Sequence, residues 1–207
     1  DARFSAYRWM FDPVKSHKGN LQIGLGIKLP TGNYNYQDYF YKKADSSILG
    51  PVDQSIQPGD GGTGITFELN SFYNFSHKFG VYGSFFYLSN PREVNGTSTT
   101  RGSAASTSAK KYNTDVMSVP DLFMTRAGVS YMVHQFNFSG GIRVEGLPSG
   151  DLIGGSRGFR RPGYIISGEP AVTYVAKKIS FNLAVPFALK RDRTQSNADK
   201  RQTADTG

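Results

Sequence analysis

The chain has 207 residues, with 24 Lys and Arg against 16 Asp and Glu, a net charge of +8. Only 19% of the residues are charged and 38% are apolar, while glycine reaches 24 residues and aromatics 14%. Glycine is costly inside helices and disordered chains are poor in aromatics, so a helical bundle and a disordered chain are both excluded. With no cysteine, disulfide scaffolds, zinc ribbons and thiol nucleophiles fall away too. What remains is an all-β chain rich in Gly, Tyr and Phe.

No stretch approaches the roughly 20 apolar residues of a membrane helix; the longest, Ala184 to Leu189, holds Pro186. Strand periodicity is the dominant signal, because successive strand side chains point to opposite faces. In chain order, Ala2 to Phe11 is the first predicted strand, with Arg8 facing opposite to Trp9. Asn20 to Leu29 is the clearest: Leu21, Ile23, Leu25, Ile27 and Leu29 share one parity, with Gln22 and Lys28 on the other. The same alternation runs through Ile65 to Phe75, Phe123 to Val133, Phe136 to Glu145 and Ile179 to Leu189. Phe79 to Leu88 is aromatic on both parities, and Tyr164 to Val175 carries Pro170, which predicts a bulge. Eight strands result, most long enough for the roughly 9–11 residues of a tilted membrane strand.

The connections alternate strictly between short and long. Short ones are Asp12 to Gly19, Ser76 to Lys78, His134-Gln135 and Ala176 to Lys178; long polar ones are 31–62, 89–119, 147–162 and everything after Lys190. Short periplasmic turns with long extracellular loops are the signature of an outer-membrane barrel. The competing fold is a soluble β-sandwich or lipocalin-like barrel, which would not place every long loop at one end. The expected fold is therefore a transmembrane antiparallel up-and-down β-barrel, residues 1–207 forming a single barrel domain. With short turns inside, the first and last strands run from and to the outside. The expectation is thus a central portion of a barrel with ten or more strands, the tail Gln195 to Gly207 being part of a loop.

The segments Gly24-Leu25-Gly26-Ile27-Lys28-Leu29-Pro30-Thr31-Gly32-Asn33-Tyr34 and Gln54-Ser55-Ile56-Gln57-Pro58-Gly59-Asp60-Gly61-Gly62 carry a resemblance. They look like Gram-negative outer-membrane transporter barrels grouped with the phenol-degradation MetA pathway. The resemblance covers about 40 residues. It implies an outer-membrane β-barrel that passes small hydrophobic or aromatic compounds, and it transfers no catalytic residue.

The polar parity holds Lys28, Glu68, Arg126, Arg143, Glu145 and Glu169. These are the candidate lumen-lining residues. Charges of both signs suit a hydrated channel or an interlocked plug of ion pairs, and both readings stay open. Arg143 and Glu145 lie two residues apart on one face, where a network forms easily. Tyr34, Tyr36, Tyr39, Phe40 and Tyr41 read as an interfacial membrane girdle rather than a ligand-stacking platform. Asp53 and Asp60 lack the spacing of an EF-hand, and Asn95-Gly96-Thr97 reads as a turn.

No catalytic, metal or cofactor site is expected. His17, His77 and His134 all sit at or beside short turns, away from the long loops, and no nucleophile elbow, zinc helix or phosphate loop is present. Scattered pairs such as Lys42-Lys43 and Lys110-Lys111 make no nucleic-acid stripe; near an outer rim they would meet anionic lipopolysaccharide and lipid. The expectation is a bacterial outer-membrane channel for passive diffusion of small solutes. Its alternative is a plugged structural barrel that anchors an assembly or presents loops to a protein partner.

Overall fold

Seven of the eight expected strands form as read, the eighth is split in two, and all lie in one sheet in the order in which they occur in the chain. The structure, a computed structural model, describes residues 1–207, with 54% strand and 9% helix. In chain order the elements are β1 (Ala2–Trp9), β2 (Gly19–Leu29), β3 (Gln37–Lys43), β4 (Ser46–Pro51), β5 (Gly64–Asn74) and β6 (Phe79–Ser89). Then come β7 (Val94–Ser98), α1 (Thr107–Lys111), β8 (Val116–Ser118), β9 (Leu122–Val133), β10 (Phe136–Leu147) and β11 (Gly163–Val175). The chain finishes with β12 (Ser180–Ala184), β13 (Phe187–Arg193) and α2 (Asn197–Thr206). The main sheet is antiparallel in the order β1-β2-β5-β6-β9-β10-β11, with β12 and β13 both against the outer side of β11. It curls into a half-barrel and does not close: β1 does not pair with β12 or β13.

Side-chain parity sorts this sheet with unusual strictness. Across the six internal strands β2, β5, β6, β9, β10 and β11, the convex face carries no charged residue. One convex row reads Phe79, Tyr131, Phe138, Val172, Leu183 from strand to strand. All but the half-buried Val172 are exposed, Leu183 at 63% and Phe138 at 47%. Conversely, the buried set contains six apolar residues and thirteen polar or charged ones. Polar residues are ordinarily the exposed ones, so the molecule is inside out.

Several sequence expectations change. Ile179 to Leu189, read as one strand, is broken at Val185-Pro186 into β12 and β13. Pro170 lies opposite that break: its carbonyl accepts from the Val185 N–H at 3.0 Å. A strand residue presents N–H and C=O to the same neighbour, so the donor that proline lacks is the one aimed at the gap. β11 itself runs unbroken, and the irregularity falls in its pairing with β13, between Ile166 and Ser167. The tail read as loop is instead helix α2, started by a capping box in which Ser196 and Asp199 bond each other's backbone N–H.

The long loops gather at one end and form a cap with its own core. It includes the β3–β4 and β7–β8 hairpins, α1 and α2, which is tied to α1 by Lys111–Asp205 at 2.7 Å and Tyr112–Asp205 at 3.2 Å. Val119, Asn90 and Asp121 are fully enclosed there. Asp121 accepts from the Asn90 N–H (2.7 Å), the Tyr87 hydroxyl (2.8 Å) and the Leu152 N–H (2.8 Å). Beside it, Asp151 takes both ends of the Arg160 guanidinium at 2.6 Å, and neither side chain is exposed beyond 1%. Removing one member of such a pair leaves a buried charge, a loss of about 3–5 kcal/mol. Asp151→Ala is therefore expected to loosen 147–162, read as rapid proteolysis of that loop while the sheet's far-UV signal persists. Wild-type protease resistance would refute the role given to this pair.

Candidate functional site

Cross-strand register assembles the concave face from single residues. One row crosses the whole sheet as Tyr7, Gly24, Glu68, Phe86, Met124, Glu145, Ile165, Arg191. The row on its short-turn side includes Gln22, Asn70, Ser84, Arg126, Arg143 and Ser167. The polar parity of the sequence thus becomes one continuous surface. A cavity of about 720 Å³ opens on it, lined in part by Arg3, Glu68, Phe86, Met124, Glu145 and Arg191.

Glycines make room for long side chains to lie across neighbouring strands. A Cβ at Gly24 would stand 2.6 Å from the Tyr7 ring. That ring crosses the gap, and its hydroxyl reaches Glu68 at 3.0 Å, joined by the Ser5 hydroxyl at 3.2 Å. Tyr82 does the same over two strands: Cβ atoms at Gly128 and Gly141 would both meet its hydroxyl oxygen at 2.6 Å. Glycine weakens a strand, and an aromatic ring laid over it restores contact.

Of the six candidate lumen residues, four form one network. Arg126 and Arg143 are directly opposite on β9 and β10, an arrangement of like charges that is unfavourable alone. Glu169, on β11, lies 3.5 Å from Arg126 and 3.8 Å from Arg143, and Glu145 pairs with Arg143. Glu68 stands apart on β5, held by its two hydroxyls. Lys28 does not line the cavity. It is enclosed, with its ammonium on Asp60 at 2.5 and 2.6 Å and Asp1 at 3.7 Å, tying β2 to the loop above it.

The five aromatics read as a girdle lie off the main sheet. Tyr39, Phe40 and Tyr41 are on β3 of the separate hairpin, Phe40 beneath the Arg101 guanidinium at 4.9 Å. Tyr34 packs under Arg92 at 5.5 Å, and Tyr36 is exposed. The main sheet has an aromatic row that sequence reasoning passed over, at its short-turn rim. There Phe79 meets Tyr131 at 4.7 Å, Phe136 meets Tyr174 at 5.0 Å, and Tyr73 meets Phe75 at 6.3 Å. The signal was present, since each stands next to a short turn on the apolar parity. Asn95, of the Asn95-Gly96-Thr97 segment read as a turn, is buried and donates to the Asp60 carbonyl at 3.0 Å.

Two ion pairs fasten the cap, one of them beside the cavity. Arg161, which lines the cavity, meets Asp53 at 3.0 Å, and Arg157 meets Glu93 at 2.6 Å. The Ser55 backbone N–H and hydroxyl, and then the Arg161 charge, hold the Asp53 carboxyl below its ordinary value. Burial pushes Glu93 upward, but the Arg157 N–H and guanidinium outweigh it and the net direction is down. A carboxyl whose folded value is depressed stabilises the fold above its unfolded pKa, about 4, and that stability disappears as pH falls through the lower folded value. The cap is therefore expected to keep its hydrogen-exchange protection from neutral pH down to about 4 and to lose it below. Loss already between about pH 5 and 7 would show that these two latches do not set the cap's acid limit.

Compared with protein-family models and with curated proteins, the chain matches none.

Proposed function

We propose that the curled sheet is wall of an outer-membrane β-barrel, and that small solutes diffuse passively along its concave face. The observation that carries this reading is the charge distribution. Six consecutive internal strands put no charge on the convex face and place Lys28, Glu68, Arg126, Arg143, Glu145 and Glu169 on the concave one; the outermost strands add Arg3, Arg191 and Arg193 to the concave side and carry the convex charges Arg8, Lys190 and Asp192. Water would favour the opposite sorting, and hydrocarbon favours this one. Strand lengths of 11 to 13 residues in β2, β5, β6, β9, β10 and β11 suit a bilayer crossing. Hydrocarbon supplies no partner for a bare strand edge, so on this reading the edges of β1 and β13 are paired within the membrane. The resemblance of residues 24–34 and 54–62 to MetA-pathway barrels points to small hydrophobic or aromatic solutes. Basic loop residues such as Lys42 and Lys43 would face lipopolysaccharide.

A second reading has its own support. The cap has a buried polar core, and Arg161 fastens it beside the cavity. A barrel roofed in this way serves equally as a plugged anchor that presents loops to a protein partner.

Insertion separates the membrane reading from a soluble sandwich. Leu25→Arg or Leu183→Arg is expected to reduce stability in a bilayer by about 2–4 kcal/mol, with Gln22→Arg and Asn182→Arg tolerated. Equal damage on both faces, measured by urea unfolding in liposomes, would sink it. Conductance separates channel from plug. The full-length protein in planar bilayers is expected to conduct with a weak anion preference that fades as salt shortens the Debye length. Silence of both the intact protein and a variant lacking residues 98–108 would favour the plugged anchor.

A further inference from the structure

We propose that the concave face binds an organic anion with an apolar body, its acid group held among Arg3, Arg191 and Arg193. The proposal rests on the reading of this face as the solute-bearing one. Arg3 belongs to β1 and the other two to β13, the outermost strands of the sheet, yet all three line the same cavity. The curl therefore brings opposite edges of the sheet to one space. Each is placed there by register: Arg3 lies opposite Lys28, Arg191 opposite Ile165 and Arg193 opposite Gly163.

What distinguishes these guanidiniums is that they are unspent. Every carboxylate lining the cavity is already satisfied elsewhere. Glu68 takes the Ser5 and Tyr7 hydroxyls, Glu145 pairs with Arg143, and Asp192 takes the Tyr164 hydroxyl at 3.2 Å and Lys190 at 3.1 Å. Arg161, the remaining guanidinium of the lining, is paired with Asp53. Arg3, Arg191 and Arg193 make no ion pair and no side-chain hydrogen bond; Arg3 only covers the Phe86 ring at 4.8 Å. Three rigid forks of donors without an acceptor suit a carboxylate or sulfonate, which they would hold through charge-assisted, bidentate bonds.

The rest of the lining sets the body of the ligand. Phe86, Met124 and Leu147 form an apolar wall beside the guanidiniums. An inorganic anion would leave that wall wet. A volume of about 720 Å³ lies in the range of small-molecule sites. Of the lining's carboxylates only Glu68 has no cationic partner, and both its oxygens already accept a hydroxyl.

The test is equilibrium retention of radiolabelled benzoate by liposomes carrying the full chain, against protein-free liposomes and without applied voltage. Saturable retention is expected, displaced by unlabelled benzoate but not by benzylammonium or by the same concentration of chloride. Arg3→Gln/Arg191→Gln/Arg193→Gln is expected to weaken retention at least about tenfold. Lys178→Gln, in the short turn at the far end, is expected to leave it unchanged. Far-UV signal and protease resistance check that the triple variant folds; if it does not, Arg193→Gln alone must still weaken retention. Equal retention by wild type and variant, or equal displacement by benzylammonium, overturns the proposal. Displacement by chloride alone reduces the site to an inorganic-anion site and overturns it as well. A protein that conducts but does not retain benzoate defeats this inference and leaves the channel reading standing; one that retains benzoate but never conducts does the reverse.

Discussion

Strict separation of charge between the two faces of the internal strands is the constraint on which the rest of this molecule depends. A strand offers its side chains to two faces in turn, and six internal strands give one of those faces no charge at all. Every ion on these strands must then find its partner on the concave side. The consequences are local and specific. Arg126 and Arg143 are forced opposite each other, and Glu169 and Glu145 are the carboxylates that neutralise them. Glu68, with no cation beside it, is held by two hydroxyls that reach it over Gly24 and Gly26.

The same constraint explains the cap. A sheet with its apolar side chains turned outward has no hydrophobic interior to which loops can anchor. The long connections instead anchor on buried polar groups: Asp121 and Asp151 with Arg160, and Asp60 with Lys28. Cap and sheet are thereby joined at the Lys28 ammonium, at the Asp1 carboxylate that takes the Gly32 N–H, and at Tyr87, whose hydroxyl meets Asp121. Solutes on the concave face would meet a fixed roof on the loop side and a set of uncommitted guanidiniums below it.

The strands were legible in the sequence because their period is two and their apolar parity is almost unbroken; β2, β5 and β10 each follow the alternation that predicted them. The candidate lumen residues were legible for the same reason, since parity alone puts Glu68, Arg126, Arg143, Glu145 and Glu169 on one face. What parity lacks is reach across strands. It does not say that Lys28 is consumed by Asp60, 32 positions away, or that Tyr82 lies over Gly128 and Gly141. The helix at Asn197–Thr206 was missed although its capping box is local, because its mostly polar residues offer no apolar periodicity.

By itself, then, the sequence determined the main strands up to β11, their neighbours and which of their side chains share a face, because hairpin connectivity and a two-residue period are properties of the chain alone. Tertiary structure decided which charges remain available. Arg3 and Arg193 stand 190 positions apart and belong to opposite edges of the sheet. Only the curl brings them to one cavity, and only the competing partners around it, Tyr7 for Glu68 and Lys190 for Asp192, leave those guanidiniums free.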